Sequence, residues 1–573
     1  MSYGYIPNDM IQKELRWEYV NYALYKHLRE LNVQSRLDHR IGELENEQEE
    51  QLNLIQYVCT LHRSLPRNTP SHYYPPKHIP DIINELLKRE NELLQEYKSY
   101  RNYFLSNNPY YSAFFDRLAA NKSKQIEQLV ELEPCFPNSH DVRQDFFLQE
   151  GYRMEKVISE LTFPTVITFD DEKNMYVVEA GYAYGAEPGE GRIFKVSRNG
   201  DINEVAGGFA GPVTGLTWYK GDLYVAEGGF DRKAEPGCGR IIKVSPSGEK
   251  QVIISNLRTC GDHFTGDVKV GPDEKLYFTV GTATNSGVVG KDNMSWVKRN
   301  PQFHDQPARD YILVGKNFVT ENPLTEKDDV VETGAFKPFG VPSREGETIK
   351  GDLYANGVIY RSNLDGSNLE IYADGFRNPF GLVFSPFTNK MYVTDNGADV
   401  RGSRPINKDW DNFWEVQQGG WYGWPDFFSG LPATNPRFHK EGEPKPSFLI
   451  KNHPKLASQP IVRFEPHSSS NKFSFSTNDR FGYFGEAFVA QLGGMDGKSG
   501  LKVVRVNLDT GQIREFYANK KGLDIEGAPK RPVAAMFNPE GDELYIVDFG
   551  LMGPREKSEG TGSVWRIVRE RQD

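Results

Sequence analysis

Three short stretches gather the side chains that could do chemistry. The first, Cys260-Gly-Asp-His-Phe-Thr-Gly-Asp267, sets His263 beside Asp262. An imidazole titrates near neutrality and a neighbouring carboxylate favours its charged form, so His263 is a candidate general base with Asp262 as its assistant. Read alone, such a histidine is more often a packed structural group. The second stretch, Gly375-Phe-Arg-Asn-Pro-Phe-Gly-Leu382, offers the planar fork of Arg377 for carboxylates or quinone oxygens. Beside it, the amide of Asn378 both donates and accepts. An arginine that merely closes a turn is the plain alternative. The third, Tyr392-Val-Thr-Asp-Asn-Gly-Ala398, followed by Asp411-Asn412, combines turn carbonyls with a carboxylate, the hard oxygen ligands that calcium takes. An ordinary Asx turn explains the same spacing.

These stretches sit inside a repeat. After Pro134 the pattern changes to period-two strands, and a Leu/Met-Tyr-apolar phrase recurs around Tyr176, Tyr224, Tyr277, Tyr392 and Tyr545, with a degenerate copy at Phe488. Most copies are followed by a strand of the type Gly-Arg-Ile-x-Lys-Val. The first two share Ala-Glu-Pro-Gly-x-Gly-Arg-Ile-x-Lys-Val, at Ala186–Val196 and Ala234–Val244. Six copies predict six blades, and hence a six-bladed β-propeller over residues 150–573. Two longer segments interrupt it, Asn285 to about Lys350 and Asp399 to about Arg463, where ordered insertions on a rigid scaffold would carry binding residues.

Residues 1–140 read differently. Apolar residues at three and four spacing predict four amphipathic helices, Asn8 to about Leu31, Gln34–His62, Asp81 to about Leu105, and about Tyr111 to Leu132, with a Pro-rich break from Pro66 to Pro80. The fold class is therefore multidomain, an α-helical bundle followed by an all-β unit. A ferritin-like di-iron bundle would need a Glu from each of two helices and a Glu-x-x-His pair from each of the other two. No Glu-x-x-His occurs there, and His27, His39, His62, His72 and His78 do not pair with Glu at that spacing. An oligomerisation, docking or anchoring bundle is the expectation, with the ferritin-like form left open.

The formal net charge of −11 over 573 residues argues against a nucleic-acid partner. The sequence encodes no signal peptide and no apolar run long enough to span a bilayer, so cytoplasmic synthesis is expected, with surface or coat association left open. Four cysteines, Cys59, Cys135, Cys238 and Cys260, make no disulfide scaffold. Cys238 and Cys260 could meet across neighbouring strands, but two free thiols are the preferred reading.

Taken in order, DHFTGDVKVGPDEKLYF, GFRNPFGLVFSP, TDNG and GGWYGWPD resemble the glucose/sorbosone dehydrogenase family, over roughly Phe163 to Val568. The resemblance implies oxidation of a sugar, polyol or related aldehyde by hydride transfer to pyrroloquinoline quinone (PQQ), held with Ca2+ at the propeller axis. By motif, His263 would be the base, assisted by Asp262, with Arg377 near cofactor and substrate. Arg377, Asn378, Asn396 and Arg531 would contact the cofactor, with His467 lining the same mouth beside the aromatic insert of Trp421 and Trp424. The carbonyls of Gly397 and Ala398 and the carboxylate of Asp411 resemble the calcium ligands. Two departures stand out: Gln491 where a lysine reaching the quinone is expected, and no glutamine in the Phe209–Gly215 segment. Fewer such groups would weaken the hold on a tricarboxylate. A non-catalytic carbohydrate-binding or structural propeller in a surface or coat assembly is the first alternative. A calcium-dependent, lactonase-like hydrolase is the second.

Overall fold

The three-and-four apolar spacing near the start of the chain folds into four helices, α1 (Asn8–Asn32), α2 (Asp38–Leu61), α3 (Ile79–Phe104) and α4 (Pro109–Leu132). They belong to the computed structural model of the chain, which describes residues 8–32, 37–61, 79–106, 108–132, 144–197, 201–230, 232, 237–325 and 329–570. Most of the Pro-rich break, Cys135, and Ala234 to Pro236 of the second repeat phrase lie outside the described residues. Contacts divide the chain into Met1–Asp141 and Val142–Asp573. In the first unit α1 packs on α2 and α3, and α4 on α3 and α2. Leu24, Leu28, Ile41, Leu44, Ile82, Leu86 and Leu129 make one fully buried apolar layer. Leu15, Leu52, Leu93, Phe115 and Leu118 make another. Burying each such side chain contributes roughly 1.5–3 kcal/mol, which offsets the cost of ordering helices of this length. Among the described residues no helix is long and apolar enough to cross a membrane.

The second unit is almost entirely antiparallel β-structure. Four of its sheets have four strands each, beginning at Pro164–Phe169, Val213–Tyr219, Thr265–Val270 and Pro379–Phe384. A nine-stranded sheet holds most of the rest, and one parallel pair, Lys472 opposite Ala534, joins its two halves. The recurring Leu/Met-Tyr-apolar phrase is in each case the second strand of its group: Met175–Glu179, Asp222–Glu227, Leu276–Val280, Met391–Asp395, Ala487–Gln491 and Glu543–Asp548. Paired on both edges and covered on both faces, these strands are buried nearly end to end, which explains their continuous apolar runs. The first strands of successive groups lie against one another in chain order, and the last of them, Pro532–Phe537, returns to Pro164–Phe169 in a nearly closed, barrel-like arrangement. Side chains stitch successive groups together: Thr165 Oγ1 on one first strand donates to the Val213 carbonyl on the next at 2.8 Å, and Thr394 Oγ1 on a second strand donates to the Asn471 carbonyl of the following group at 2.7 Å. The long second strand of the unit, Tyr152–Leu161, pairs with the strand that ends it, Gly562–Arg569, while the short first strand, Phe146–Leu148, pairs with Gln512–Asn519.

Cys238 and Cys260 are joined by a disulfide, which corrects the expectation of two free thiols. Strand register is the cause. Gly239 stands opposite Leu257 in the paired strands Gly239–Val244 and Lys250–Leu257, so the residues just beyond them meet with Cα atoms 5.5 Å apart. Closing a loop across 22 residues stabilises the unit by roughly 3 kcal/mol through the unfolded chain. The paired substitution Cys238→Ser and Cys260→Ser is expected to lower the unfolding free energy in a denaturant titration by about that much. Equal stability of the two proteins under oxidising conditions would show that the bond contributes nothing.

The two insertions fold onto each other. Val288, Tyr311, Leu313 and Phe336 from the first pack with Ile406, Trp424, Phe428, Leu449 and Ile450 from the second. At their centre Arg404, wholly buried, reaches the Asp426 carboxylate at 2.8 Å and the carbonyls of Ser286, Pro425 and Ser447. The other bonds to Asp426 come from the backbone N–H groups of Leu449 and Ile450 and from His453 Nε2.

Candidate active site

The disulfide fixes the start of the loop that carries His263 into the strand Thr265–Val270. The ring is 6% exposed, and its Nδ1 lies 2.8 Å from the Thr282 carbonyl oxygen. A carbonyl only accepts, so Nδ1 carries the proton and Nε2 keeps a bare lone pair. Burial, followed by the positive charge of Arg377, pushes the imidazole down to about 3, so it is neutral across the ordinary working range. Gly281 is packed against this ring: a Cβ there would come within 2.5 Å of His263 Cβ and 2.9 Å of Asn378 Oδ1. Only glycine allows that approach.

His263 faces a cavity of about 120 Å3, together with Asn378, Asn396, Ser469, Asn471, Thr165, Thr214, Tyr182 and Tyr184. Its apolar walls are Phe264, Phe380, Leu492, Val533, Phe549 and Met552. Asn378 and Asn396 are linked side chain to side chain at 3.0 Å, and Asn396 Nδ2 donates to the Ser470 carbonyl. No lysine or arginine is among the lining residues.

The remaining residues predicted for the site stand behind the cavity. Asp262 does not bond to His263; its carboxylate accepts from Asn293 Nδ2, from Trp296 Nε1 at 2.7 Å and from Arg401 at 2.7 Å. The Arg377 guanidinium is fully engaged, with the Asn285 and Asn396 carbonyls, Asn285 Oδ1 and the Asp399 carboxylate at 2.9 Å. His467 Nδ1 lies 3.1 Å from the other Asp399 oxygen, and that bond holds the imidazole above its usual range. Burial works against the charge on Asp399, but Arg377, His467 and Arg401 outweigh it and keep the carboxylate ionised. A chain of alternating charge therefore runs Asp262, Arg401, Asp399, Arg377. It places a fixed positive charge close to His263, the second cause of that histidine's neutrality.

Arg531, 1% exposed, points its terminal nitrogens at the carbonyls of Leu492, Gly493, Gly494 and Met495, while its Nε has no partner among the described residues. Gln491 is buried as well, bonded to Ser470 Oγ. Asp411 is clamped by Gly397 N–H at 2.9 Å, Ser470 N–H at 2.7 Å and Ser468 Oγ at 2.8 Å. Ala398 N–H donates to Asp409. The carbonyls of Gly397 and Ala398 accept no hydrogen bond among the described residues, where no group of three or more His, Cys, Asp or Glu side chains is arranged around a metal. Trp421 and Trp424 are buried, one donating to Tyr311 Oη and the other to the Asn285 carbonyl, and neither lines the cavity.

Sequence reading missed Asn285, Asp399 and Arg401, which tie the arginine and the aspartate in place, and Tyr184, Ser469 and Asn471, which line the cavity. Only the Tyr182-Ala-Tyr184 run directly after a buried strand, and the Ser-Ser-Ser-Asn471 run before one, hinted at the latter.

Residues 346–526 match the glucose/sorbosone dehydrogenase family. The likeness to that family is confined to this segment, about a third of the chain. The family segment holds Arg377, Asn378, Asn396, Gly397, Ala398, Asp411, His467 and Gln491; His263 and Arg531 lie outside it. The chain is 27% identical over 179 residues to quinoprotein glucose dehydrogenase B of Acinetobacter calcoaceticus, a match covering 31% of this chain and 29% of that protein. It is 26% identical over 201 residues to an uncharacterized protein of Borreliella burgdorferi, covering 34% of this chain and 50% of the other. The chain thus spans half or less of the length of these curated relatives. Among solved structures, the putative oxidoreductase (glucose dehydrogenase) of Thermus thermophilus aligns with TM-score 0.44 at 17% identity, over 73% of this chain and 100% of that one. The holo pyranose dehydrogenase PQQ domain of Coprinopsis cinerea aligns with TM-score 0.45 at 15% identity, over 74% and 97%.

Proposed function

We propose that the β-rich unit is a six-bladed propeller that oxidises a CH–OH group of a sugar, polyol or related compound, with His263 removing the hydroxyl proton. The Nε2 of an imidazole that lines the cavity carries this reading: the Thr282 carbonyl holds the ring in the tautomer that leaves the Nε2 lone pair free to accept a proton. Six second strands of one pattern, and the pairing of Tyr152–Leu161 near the start of the unit with its last strand, Gly562–Arg569, support the propeller.

A lining that combines amides and hydroxyls with aromatic side chains suits a flat quinone, and Arg531, two residues before the lining residue Val533, has a buried Nε with no partner among the described residues. The residues fit PQQ, with Asn378, Asn396 and Arg531 as those that would hold it. The free carbonyls of Gly397 and Ala398, with Asp411, are hard oxygens that fit Ca2+. PQQ would supply the hydride acceptor. The chain's own part is to orient the hydroxyl at Nε2, to accept its proton there, and to exclude water with Phe264, Phe380 and Phe549. Arg377 acts from behind as a positioning group, locking Asn396 through its carbonyl and keeping His263 neutral.

The test is a calorimetric titration of the purified chain with PQQ in the presence of Ca2+, followed by dye reduction across a panel of aldoses and polyols. Saturable binding and turnover of at least one sugar are expected. Absence of both would abandon the dehydrogenase reading. One observation favours a second reading, a carbohydrate-binding or structural propeller: the cavity lining has no lysine or arginine, and at about 120 Å3 it is smaller than the roughly 300 Å3 usual for a drug-sized ligand. Sugar binding without PQQ binding would support it.

A further inference from the structure

The helical unit has a polar centre that the dehydrogenase reading does not use. Glu18 on α1, Gln48 and Gln51 on α2, Glu90 on α3, and Lys122 and Gln125 on α4 are each 1% exposed or less. Lys122 Nζ lies 2.8 Å from Glu18, 2.6 Å from Glu90 and 2.9 Å from Gln48 Oε1. Gln48 and Gln51 both donate to Glu18, and Gln125 donates to Gln48. Tyr97 donates to Glu18 and Tyr25 to Glu90. Four helices thus send one Glu from each of two and an i, i+3 pair from each of the other two to a single point.

That is the placement with which four-helix carboxylate bundles hold two metal ions, a Glu from two helices and a Glu-x-x-His from the other two. Here the pairs read Gln48-x-x-Gln51 and Lys122-x-x-Gln125. We propose that the bundle has the architecture of a dinuclear metal site in which the Lys122 ammonium has taken the place of the metal as its resident cation. Two observations beyond the carboxylates point there. The ammonium is coordinated by three helices, as a metal would be, and Gln51 Oε1 and Gln125 Oε1 are buried acceptors with no partner among the described residues. They stand at the positions where the metal-binding pattern carries histidine. Burial works against the lysine's charge, but Glu18 and Glu90 outweigh it and hold the group above the usual lysine range. The unit is therefore a metal-independent scaffold whose centre reverts to a cation site when the ammonium is removed.

The test uses the full chain and follows the helical circular dichroism signal on heating, in EDTA and in Mn2+. The natural protein is expected to melt at the same temperature in both. Lys122→Ala, which leaves two buried carboxylates unpaired, is expected to melt more than about 10 °C lower in EDTA and to regain a large part of that loss in Mn2+. The variant Q48E/Q51H/K122E/Q125H completes the carboxylate and histidine set and is expected to be stabilised by Mn2+. A natural protein whose helices melt earlier in EDTA would overturn the proposal, because the site would then hold a metal already. So would a Lys122→Ala variant as stable as its parent without Mn2+. A Lys122→Ala variant that folds without responding to Mn2+ would overturn it too; should that variant fail to fold, the four-residue variant decides, no response to Mn2+ overturning the proposal and a rise in melting temperature supporting it.

Discussion

Replacing His263 by alanine is expected to lower kcat/KM for CH–OH oxidation by about 10²–10⁴-fold, the usual worth of a positioned general base. PQQ binding should remain, because the residues assigned to hold the cofactor are others. Steady-state dye reduction and titration on one preparation separate the two quantities; an unchanged rate would remove His263 from the reaction. The pH profile adds an independent reading. With the imidazole pushed down to about 3, first by burial and then by Arg377, the acid limb due to this base falls near pH 3, and the rate should be flat from about pH 5 to 8. The linkage to stability has a definite sign. The folded state binds this proton more weakly than the unfolded chain, whose histidine titrates near 6.5. The stability associated with the neutral ring is therefore complete above about pH 6.5 and is lost as pH falls towards 3. His263→Gln should remove that part of the acid destabilisation.

Asp426→Ala should destabilise the β unit by about 3–5 kcal/mol, because it strands the wholly buried Arg404 guanidinium without its counter-charge. The same change frees the N–H groups of Leu449 and Ile450. Burial already disfavours the charged guanidinium, and Asp426 is what opposes that. Denaturant unfolding measures the loss. The apolar pair Arg404→Met with Asp426→Leu should recover much of it, since replacing both members leaves no lone buried charge. If Asp426→Ala unfolds at the natural denaturant midpoint, the insertions do not depend on this pair. Because Asn285 of the first insertion and Asp399 of the second both hold Arg377, loosening the insertions should lower activity as well.

The helices were legible because leucines and isoleucines at three and four spacing leave little other choice, and their predicted limits fall within a few residues of those observed. The strand groups were legible because each central strand must be apolar on both faces, which forces one phrase to recur. Of the residues picked out where chemistry and local spacing coincide, His263 and Asn378 line the cavity, whereas Arg377 does not. Adjacency misled at Asp262: it neighbours His263 in the bend before the strand, yet its carboxylate turns to Arg401 and Trp296 while the imidazole turns to the Thr282 carbonyl. Asn285 and Asp399 escaped notice because they meet Arg377 only after two insertions fold together. The Lys122 centre escaped because glutamines and lysines on a helix ordinarily face water, and only the packing of four helices turns them inward. The disulfide depended on strand register, which composition does not fix.

Pairing Tyr152–Leu161 with Gly562–Arg569 makes the last sheet a clasp between distant parts of the chain. During synthesis that sheet keeps an exposed edge until Gly562–Arg569 has left the ribosome. The four helices, complete by Leu132, are under no such constraint. Chains halted before residue 562 would expose a row of unpaired backbone groups, so premature termination leaves a sticky edge rather than a merely shorter β unit.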